Sequence, residues 1–260
     1  MTAEIIKGAA ALRADRFLES FRLVEAHVRR MANVGPETSF KNALTKASEV
    51  SPEVRRHEGD LRQFANLRNA MVHEPYDEGE PIADPRESAL ELMRAIAEAV
   101  LEPPTALAVL KHPVITASPR MALSEAATLM LDRHFSQLPI VDQGAVVGVL
   151  TSEALARYLT ACVFGDGSAD TSTLVVEVAG YDEQREVICL PASTTALAVV
   201  DEFEQREEAG RLLNAVCLMG DGGRDVLGIA TVYDVPALIK AAQPHRQLRS
   251  EDPHSKQADA

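Results

Sequence analysis

The chain has 260 residues, 46% apolar, only 4% aromatic and without Trp, and carries a net charge of −13. That length allows one large or two modest domains, with cores built from Ala, Leu and Val. The charge argues against a protein that coats nucleic acid in general.

No apolar run approaches the ~20 residues of a membrane span. The opening Met1-Thr2-Ala3-Glu4 lacks the basic-then-apolar plan of a secretory signal. Cys162, Cys189 and Cys217 show no metal spacing, and two of them fall in strands expected to be buried. A cytoplasmic location and no metal are the expectation. His27, His57, His112, His134, His245 and His254 are scattered without ligand spacing, and each reads as a surface or packing residue rather than a ligand.

Residues 1–104 read as helices. Phe17, Phe21, Val24, Val28 and Met31 recur at steps of four, three, four and three, an amphipathic stripe. Gly35-Pro36 closes that helix, and a short one with Phe40, Ala43, Leu44 and Ala47 follows. Ser51-Pro52 is an N-cap with Pro in the first turn, opening a third helix with Leu61, Phe64, Leu67 and Met71 inward. Asp84-Pro85 gives the same start signal for a last helix with Ala89, Leu92, Met93, Ile96 and Val100. Pro103-Pro104 ends it and marks a domain boundary. The expectation is a small antiparallel bundle. Residues 13–68 hold eleven Lys or Arg against eight Asp or Glu, whereas residues 74–102 hold two against nine.

The one locally basic stretch leads to Arg68-Asn69-Ala70-Met71-Val72-His73, followed by Glu74-Pro75. An Arg, four intervening residues and a His at a helix end resembles the signature of the HEPN superfamily. That resemblance implies a helical domain that dimerises and, in many members, cuts RNA without metal. Arg68 would hold a phosphodiester through its donor fork, His73 would move the proton, and Asn69 is the polar residue often found after the Arg. Positions five apart on an ideal helix stand about 140° apart. The two can share a pocket only if the helix unwinds near His73, or if two chains pool them. Arg68 could equally pair with Glu74 or cap the helix end.

Beyond residue 104 a strand-turn-helix unit occurs twice. Gly148-Val149-Leu150-Thr151-Ser152-Glu153-Ala154 and Gly228-Ile229-Ala230-Thr231-Val232-Tyr233-Asp234 each follow a strand pattern and open a helix. The first repeat reads Val114-Ile115-Thr116, a helix from Ser124 to Asp132, Gln137 to Asp142, then Ala145 to Thr151. The second reads Val187-Ile188-Cys189-Leu190, a helix from about Thr195 to Gln205, Asn214 to Leu218, then Val226 to Thr231. Its last turn, Gly220 to Asp225, is expected to be three residues longer, and Gly220, Gly222 and Gly223 make it a hairpin turn because no Lys-Ser/Thr follows.

This order of elements resembles the CBS domain (cystathionine β-synthase type), over roughly residues 105–242. The resemblance implies a tandem pair of β-α-β-β-α units, a Bateman module, that binds adenine nucleotides: AMP, ADP or ATP. In the family the Thr holds phosphate and the Asp holds the ribose hydroxyls. Thr231 and Asp234 keep both, whereas the first repeat has Thr151 but Ala154. A Thr that is only an N-cap is the plainer alternative, stronger for Thr151 than for Thr231. Gly228, Asn214, Ala215, Ile188 and Thr116 complete the expected ligand set, with about one nucleotide per chain.

The fold class expected is thus α+β: a helical bundle at 1–104, CBS repeats at 105–171 and 172–242, and a disordered tail at 243–260. The helical stripe offers more apolar surface than a short bundle needs, and both families commonly dimerise, so a symmetric homodimer is expected. A regulatory nucleotide sensor is the main reading. The alternative is a nucleotide-regulated endoribonuclease acting on single-stranded RNA, with neither DNA nor membrane as partner.

Overall fold

Thr2–Met31 forms one continuous helix, α1, and its apolar stripe turns inward. Phe17, Phe21, Val24 and Val28 are all buried, while Met31 at the stripe's end is 39% exposed. The computed structural model describes residues 2–73, 75–76, 80–81, 84–110, 114–165, 167–182 and 185–243, with backbone alone at 2–11, 73, 75–76, 80–81 and 185. The proposed tail therefore lies, after its first residue, outside the described residues. The chain divides into two units, Met1–Pro104 with Lys240–Ala260, and Thr105–Ile239.

In the first unit α1 packs with α2 (Phe40–Val50), α4 (Glu58–His73) and α5 (Glu87–Leu101), with the short α3 (Pro52–Arg56) beside α2. A two-stranded ribbon, β1 (Pro75–Tyr76) with β2 (Glu80–Pro81), joins α4 to α5. Phe17 meets Phe64 edge-on at 5.4 Å, and Phe21 meets Phe40 at 5.1 Å. The stripe is thereby consumed in this unit's own core together with Leu44, Leu61, Met93 and Ile96. Among the described residues of the stripe only Met31 stays exposed, so the stripe by itself gives no argument for a dimer.

Two boundaries differ from the sequence expectation. The helix opened by Ser51, whose hydroxyl accepts from the Val54 N–H at 3.3 Å, breaks at His57 into α3 and α4. Gly59, a poor helix former, follows the break at once. The last helix starts at Glu87, two residues after Pro85; Asp84 forms an ion pair with Arg13 instead of capping it.

The second unit repeats one element order. The first copy comprises α6 (Ala106–Val109), α7 (Leu123–Arg133), β3 (Gln137–Asp142), β4 (Ala145–Thr151) and α8 (Ser152–Phe164). The second comprises α9 (Val175–Ala179), a 3-10 turn (Gly180–Asp182), β5 (Arg185–Pro191), α10 (Ala196–Glu208), β6 (Leu212–Met219), β7 (Val226–Ala230) and α11 (Val235–Ala241). β3 and β4 pair antiparallel, as do β6 and β7, and β5 joins β6 in parallel.

The expected strand at Val114-Ile115-Thr116 is reduced to one bridge, Ala117 with Ile140. Pro139 explains this. Ala117 donates to the Pro139 carbonyl and accepts from the Val141 N–H, each at 2.8 Å. The next rung would need a donor at position 139 for the Ile115 carbonyl, and proline has none. In the second copy the neighbouring strand has an N–H at every position, and the parallel ladder runs from Arg185 to Pro191.

Val141 faces Val146 across the first hairpin and Met219 faces Val226 across the second. Residues 142–145 and 220–225 lie between them, so the second turn is longer by two residues rather than three.

The short helices that lead into the copies are exchanged. α6 precedes the first copy but packs on α10 and β7 of the second, and Thr105 bridges to Thr195. α9 precedes the second but packs on α7, β4 and α8 of the first, and Ala122 bridges to Leu174. Two apolar cores follow this exchange, one around Ala126, Ile140, Leu150 and Val178, the other around Ala106, Val199, Leu218 and Leu238. Among the described residues no helix is long and apolar enough to cross a membrane.

Candidate functional site

The exchange brings each copy's Thr under elements of the other. In the second copy Thr231 follows β7 directly and α11 begins only at Val235. Pro236 explains the delay, because it cannot donate to the Val232 carbonyl where a regular helix would need it. The gap is closed by Asp234, whose Oδ2 accepts from the Thr231 N–H at 2.8 Å and from the Thr231 hydroxyl at 2.9 Å. The Thr231 hydroxyl in turn accepts from the Tyr233 N–H at 3.3 Å. Asp234 stands at the N-cap of α11, its carbonyl accepting from Ala237 and Leu238, rather than one turn inside a helix.

Thr231 and Asp234 line a cavity of about 470 Å³. Its opposite wall comes from the first copy: Ile115, His134, Gln137 and Pro139 among others, with Val109 and Leu110 from the end of α6. Ile229 and Tyr233 complete it, and Tyr233 is 79% exposed. The lining is thus an apolar slot with one carboxylate, Asp234, the hydroxyls of Ser136, Thr231 and Tyr233, the Gln137 amide and the His134 imidazole, the general make-up of a small-molecule site.

The first copy has a different arrangement. α8 begins immediately after Thr151, whose hydroxyl accepts from the Ala154 N–H at 2.9 Å as a regular N-cap. The same hydroxyl donates to Asp182 Oδ2 at 3.0 Å, and the Asn214 amide donates to that oxygen at 3.2 Å. Thr151, Asp182 and Asn214 are all buried. A carboxylate from the chain itself takes the hydroxyl that a phosphate would need. Ala154, at the expected ribose position, is fully buried in the α7/α8 core, and Glu153 turns away to Arg157 at 2.7 Å.

The expected ligand set is therefore split. Thr231 and Asp234 share the cavity; Asn214 sits with Thr151 instead. Gly228 lies against Leu107 and Leu218, where an added Cβ would come within 3.0 Å of Leu107, so its smallness serves packing. Ala215 is fully buried, Ile188 packs into the second core, and Thr116 is exposed and does not line the cavity. The reading from single-copy motifs missed Ile115, His134, Gln137, Pro139 and Tyr233. Their signal was the duplication itself, since in a two-fold arrangement each Thr faces the strands of the opposite copy.

In the helical unit Arg68 and Asn69 line a groove of about 650 Å³ with Arg29, Lys41 and Arg62, and Arg68 donates to Asn69 Oδ1 at 3.2 Å. Arg29 is held by Glu25 at 2.8 Å and Arg62 by Glu58, so much of that charge is already paired. α4 stays helical through His73, so the unwinding that would bring Arg68 and His73 together within one chain is absent. The His73 side chain and Glu74, the other expected partner of Arg68, lie outside the described residues.

Cys189, expected to be buried, is exposed, while the Cys217 thiol is pushed up to about 12 by burial and, secondarily, by Cys189. Among the described residues no group of three or more His, Cys, Asp or Glu is placed to hold a metal ion.

Residues 107–161 match the sequence model described as CBS domain. Over those residues the chain is similar to the CBS domain. The match spans the first copy from α6 almost to the end of α8. Solved structures similar to this chain include the CBS domain pair of protein MJ0100 in complex with 5′-methylthioadenosine and S-adenosyl-L-methionine. It is 24% identical, covers 53% of this chain and 97% of its own, and has a TM-score of 0.40. The CBS domain of a bacterial CNNM/CorC family Mg2+ transporter in complex with ATP is 16% identical, with 60% and 99% covered and a TM-score of 0.42. A hemolysin-like protein containing a CBS domain from Oenococcus oeni PSU is 16% identical, with 55% and 93% covered and a TM-score of 0.39. No curated protein matches the chain.

Proposed function

We propose that this chain is a cytoplasmic regulatory protein that senses an adenine nucleotide through a CBS pair formed by its two copies, with one ligand per chain. The observation that carries this is the 470 Å³ cavity in which Thr231 and Asp234 of one copy face Gln137 and Pro139 of the other. Asp234 Oδ2 is spent on Thr231, while its Oδ1 has no hydrogen-bond partner among the described residues, which leaves an acceptor for a ribose hydroxyl. The adenine base itself is supplied by the CBS resemblance. The helical unit is read as a HEPN-like domain through which two chains associate.

Calorimetry on the full chain with AMP, ADP and ATP tests this. One site per chain is expected, weakened by about 1 to 3 kcal/mol in Asp234→Ala, the cost of losing a hydrogen bond to a charged group. Absence of binding, or unchanged affinity in that variant, rejects the assignment. A monomer by light scattering at micromolar concentration rejects the association.

A second reading keeps the helical unit as a metal-independent endoribonuclease, favoured by the shared groove of Arg68 and Asn69 beside Lys41. Because positions 68 and 73 stand about 140° apart on a continuous helix, the pair would have to be completed across two chains. Single-stranded RNA should then be cut to a 2′,3′-cyclic phosphate without metal, DNA should be inert, and His73→Ala should abolish cutting. Wild type that never cuts RNA, with or without nucleotide, removes this reading.

A further inference from the structure

His134 ends α7 with φ 56° and ψ 38°, the left-handed conformation in which a side chain other than Gly is strained. It closes a helix-terminating pair of bonds, His134 N–H to the Leu131 carbonyl at 3.3 Å and Phe135 N–H to the Met130 carbonyl at 2.9 Å. The second copy has the same closure after α10, Gly210 to Glu207 at 2.9 Å and Arg211 to Arg206 at 2.8 Å. There the left-handed position is Gly210, with φ 71°. One fold element thus occurs twice in one chain, with the residue that suits it in one copy and a strained imidazole in the other.

Packing does not account for the imidazole, since His134 is exposed and its side chain takes no hydrogen bond among the described residues. It does line the Thr231/Asp234 cavity. Among the described lining residues there is no Lys or Arg, so His134 is the one side chain there able to carry positive charge, set against the Asp234 carboxylate.

We propose that His134 is a ligand contact of this cavity, donating from its imidazole to a phosphate oxygen of an adenine mononucleotide while Asp234 takes the ribose. This rests on the reading of the cavity as a nucleotide site. A lining with one such donor suits a ligand bearing a single phosphate better than a triphosphate, and it makes recognition of phosphate separable from recognition of the nucleoside.

Calorimetry with adenosine, AMP and ATP on the full chain, as wild type, His134→Gly, His134→Asn and Asp234→Ala, tests it. His134→Gly should weaken AMP by about tenfold, one charge-assisted hydrogen bond in a wet site, and leave adenosine within about twofold. Its melting temperature should equal or exceed wild type, because Gly relieves the left-handed strain; a structural His would show the reverse. His134→Asn, which tolerates the same conformation and keeps an N–H donor, should recover most of the AMP affinity. AMP binding unchanged in His134→Gly, or adenosine and AMP weakened equally, overturns the assignment of His134 while the Asp234→Ala result stands on its own. Wild type that binds none of the three overturns both.

Discussion

The two copies within Thr105–Ile239 are built from the same elements and put the same residue, a Thr at the end of the last strand, to opposite uses. Around Thr151 everything is closed: the helix starts at once, its hydroxyl caps Ala154, and Asp182 and Asn214 bury it. Around Thr231 the chain stays open for three more residues, because Pro236 delays the helix and Asp234 folds back to the strand end. The difference shows how a duplicated unit can close one copy's Thr among the chain's own residues and leave the other's beside an open cavity. A few side chains decide it: Ala154 against Asp234, and Asp182, which gives the first Thr an internal anion.

The largest effect should come from forcing the first copy to imitate the second. Ala154→Asp would place a carboxylate at a fully buried position among Leu123, Ala126 and Leu150. An unpaired buried charge costs about 3 to 5 kcal/mol, so urea unfolding should show a protein near or beyond the limit of its stability. A variant that folds normally and takes up two nucleotides per chain would break the comparison.

Removing the hydroxyls should separate the two roles at smaller cost. Thr151→Val deletes an N-cap and leaves Asp182 with one fewer donor in a buried site, so a loss of about 1 to 3 kcal/mol is expected. Thr231→Val removes bonds that are only half-buried and should cost about 1 kcal/mol or less. Nucleotide affinity should respond in the opposite order, falling for Thr231→Val and holding for Thr151→Val. Equal stability losses, or equal affinity losses, would mean the copies are not specialised as described.

Much of this was legible in the sequence because it depends on local periodicity. The Phe17 to Val28 stripe, the Ser51 cap and the β3 and β4 strands follow from spacing and from turn residues. What was not legible depends on partners far apart in the chain. Asp182 sits 31 residues from Thr151, and nothing in its neighbourhood marks it as the acceptor for that hydroxyl. Asn214 was grouped with Thr231 by copy, whereas the exchange of α6 and α9 puts it with Thr151. The surplus attributed to the helical stripe shrinks to Met31 for the same reason: how much apolar surface a bundle consumes is set by the packing of Phe64 and Phe40 onto it, not by the stripe alone.

The smallest expected effect concerns the strand that the first copy lacks. Val114, Ile115 and Thr116 have a strand composition, yet only Ala117 is bridged, because Pro139 offers no N–H to the Ile115 carbonyl. Pro139→Ala restores that donor with the smallest change of side chain. If the missing rung is a matter of one amide, the Ile115 carbonyl gains a partner and the segment is drawn onto β3, as β5 is onto β6. The gain is one hydrogen bond, about 0.5 to 1.5 kcal/mol, set against the greater freedom that Ala gives the unfolded chain, about 0.4 to 1 kcal/mol. The net change in stability should therefore be under about 1 kcal/mol. Hydrogen exchange is the better measure: Ala117 and its neighbours should become more protected in the variant while β5 is unchanged. If protection there stays as in wild type, the cause of the short strand lies elsewhere than in the missing donor.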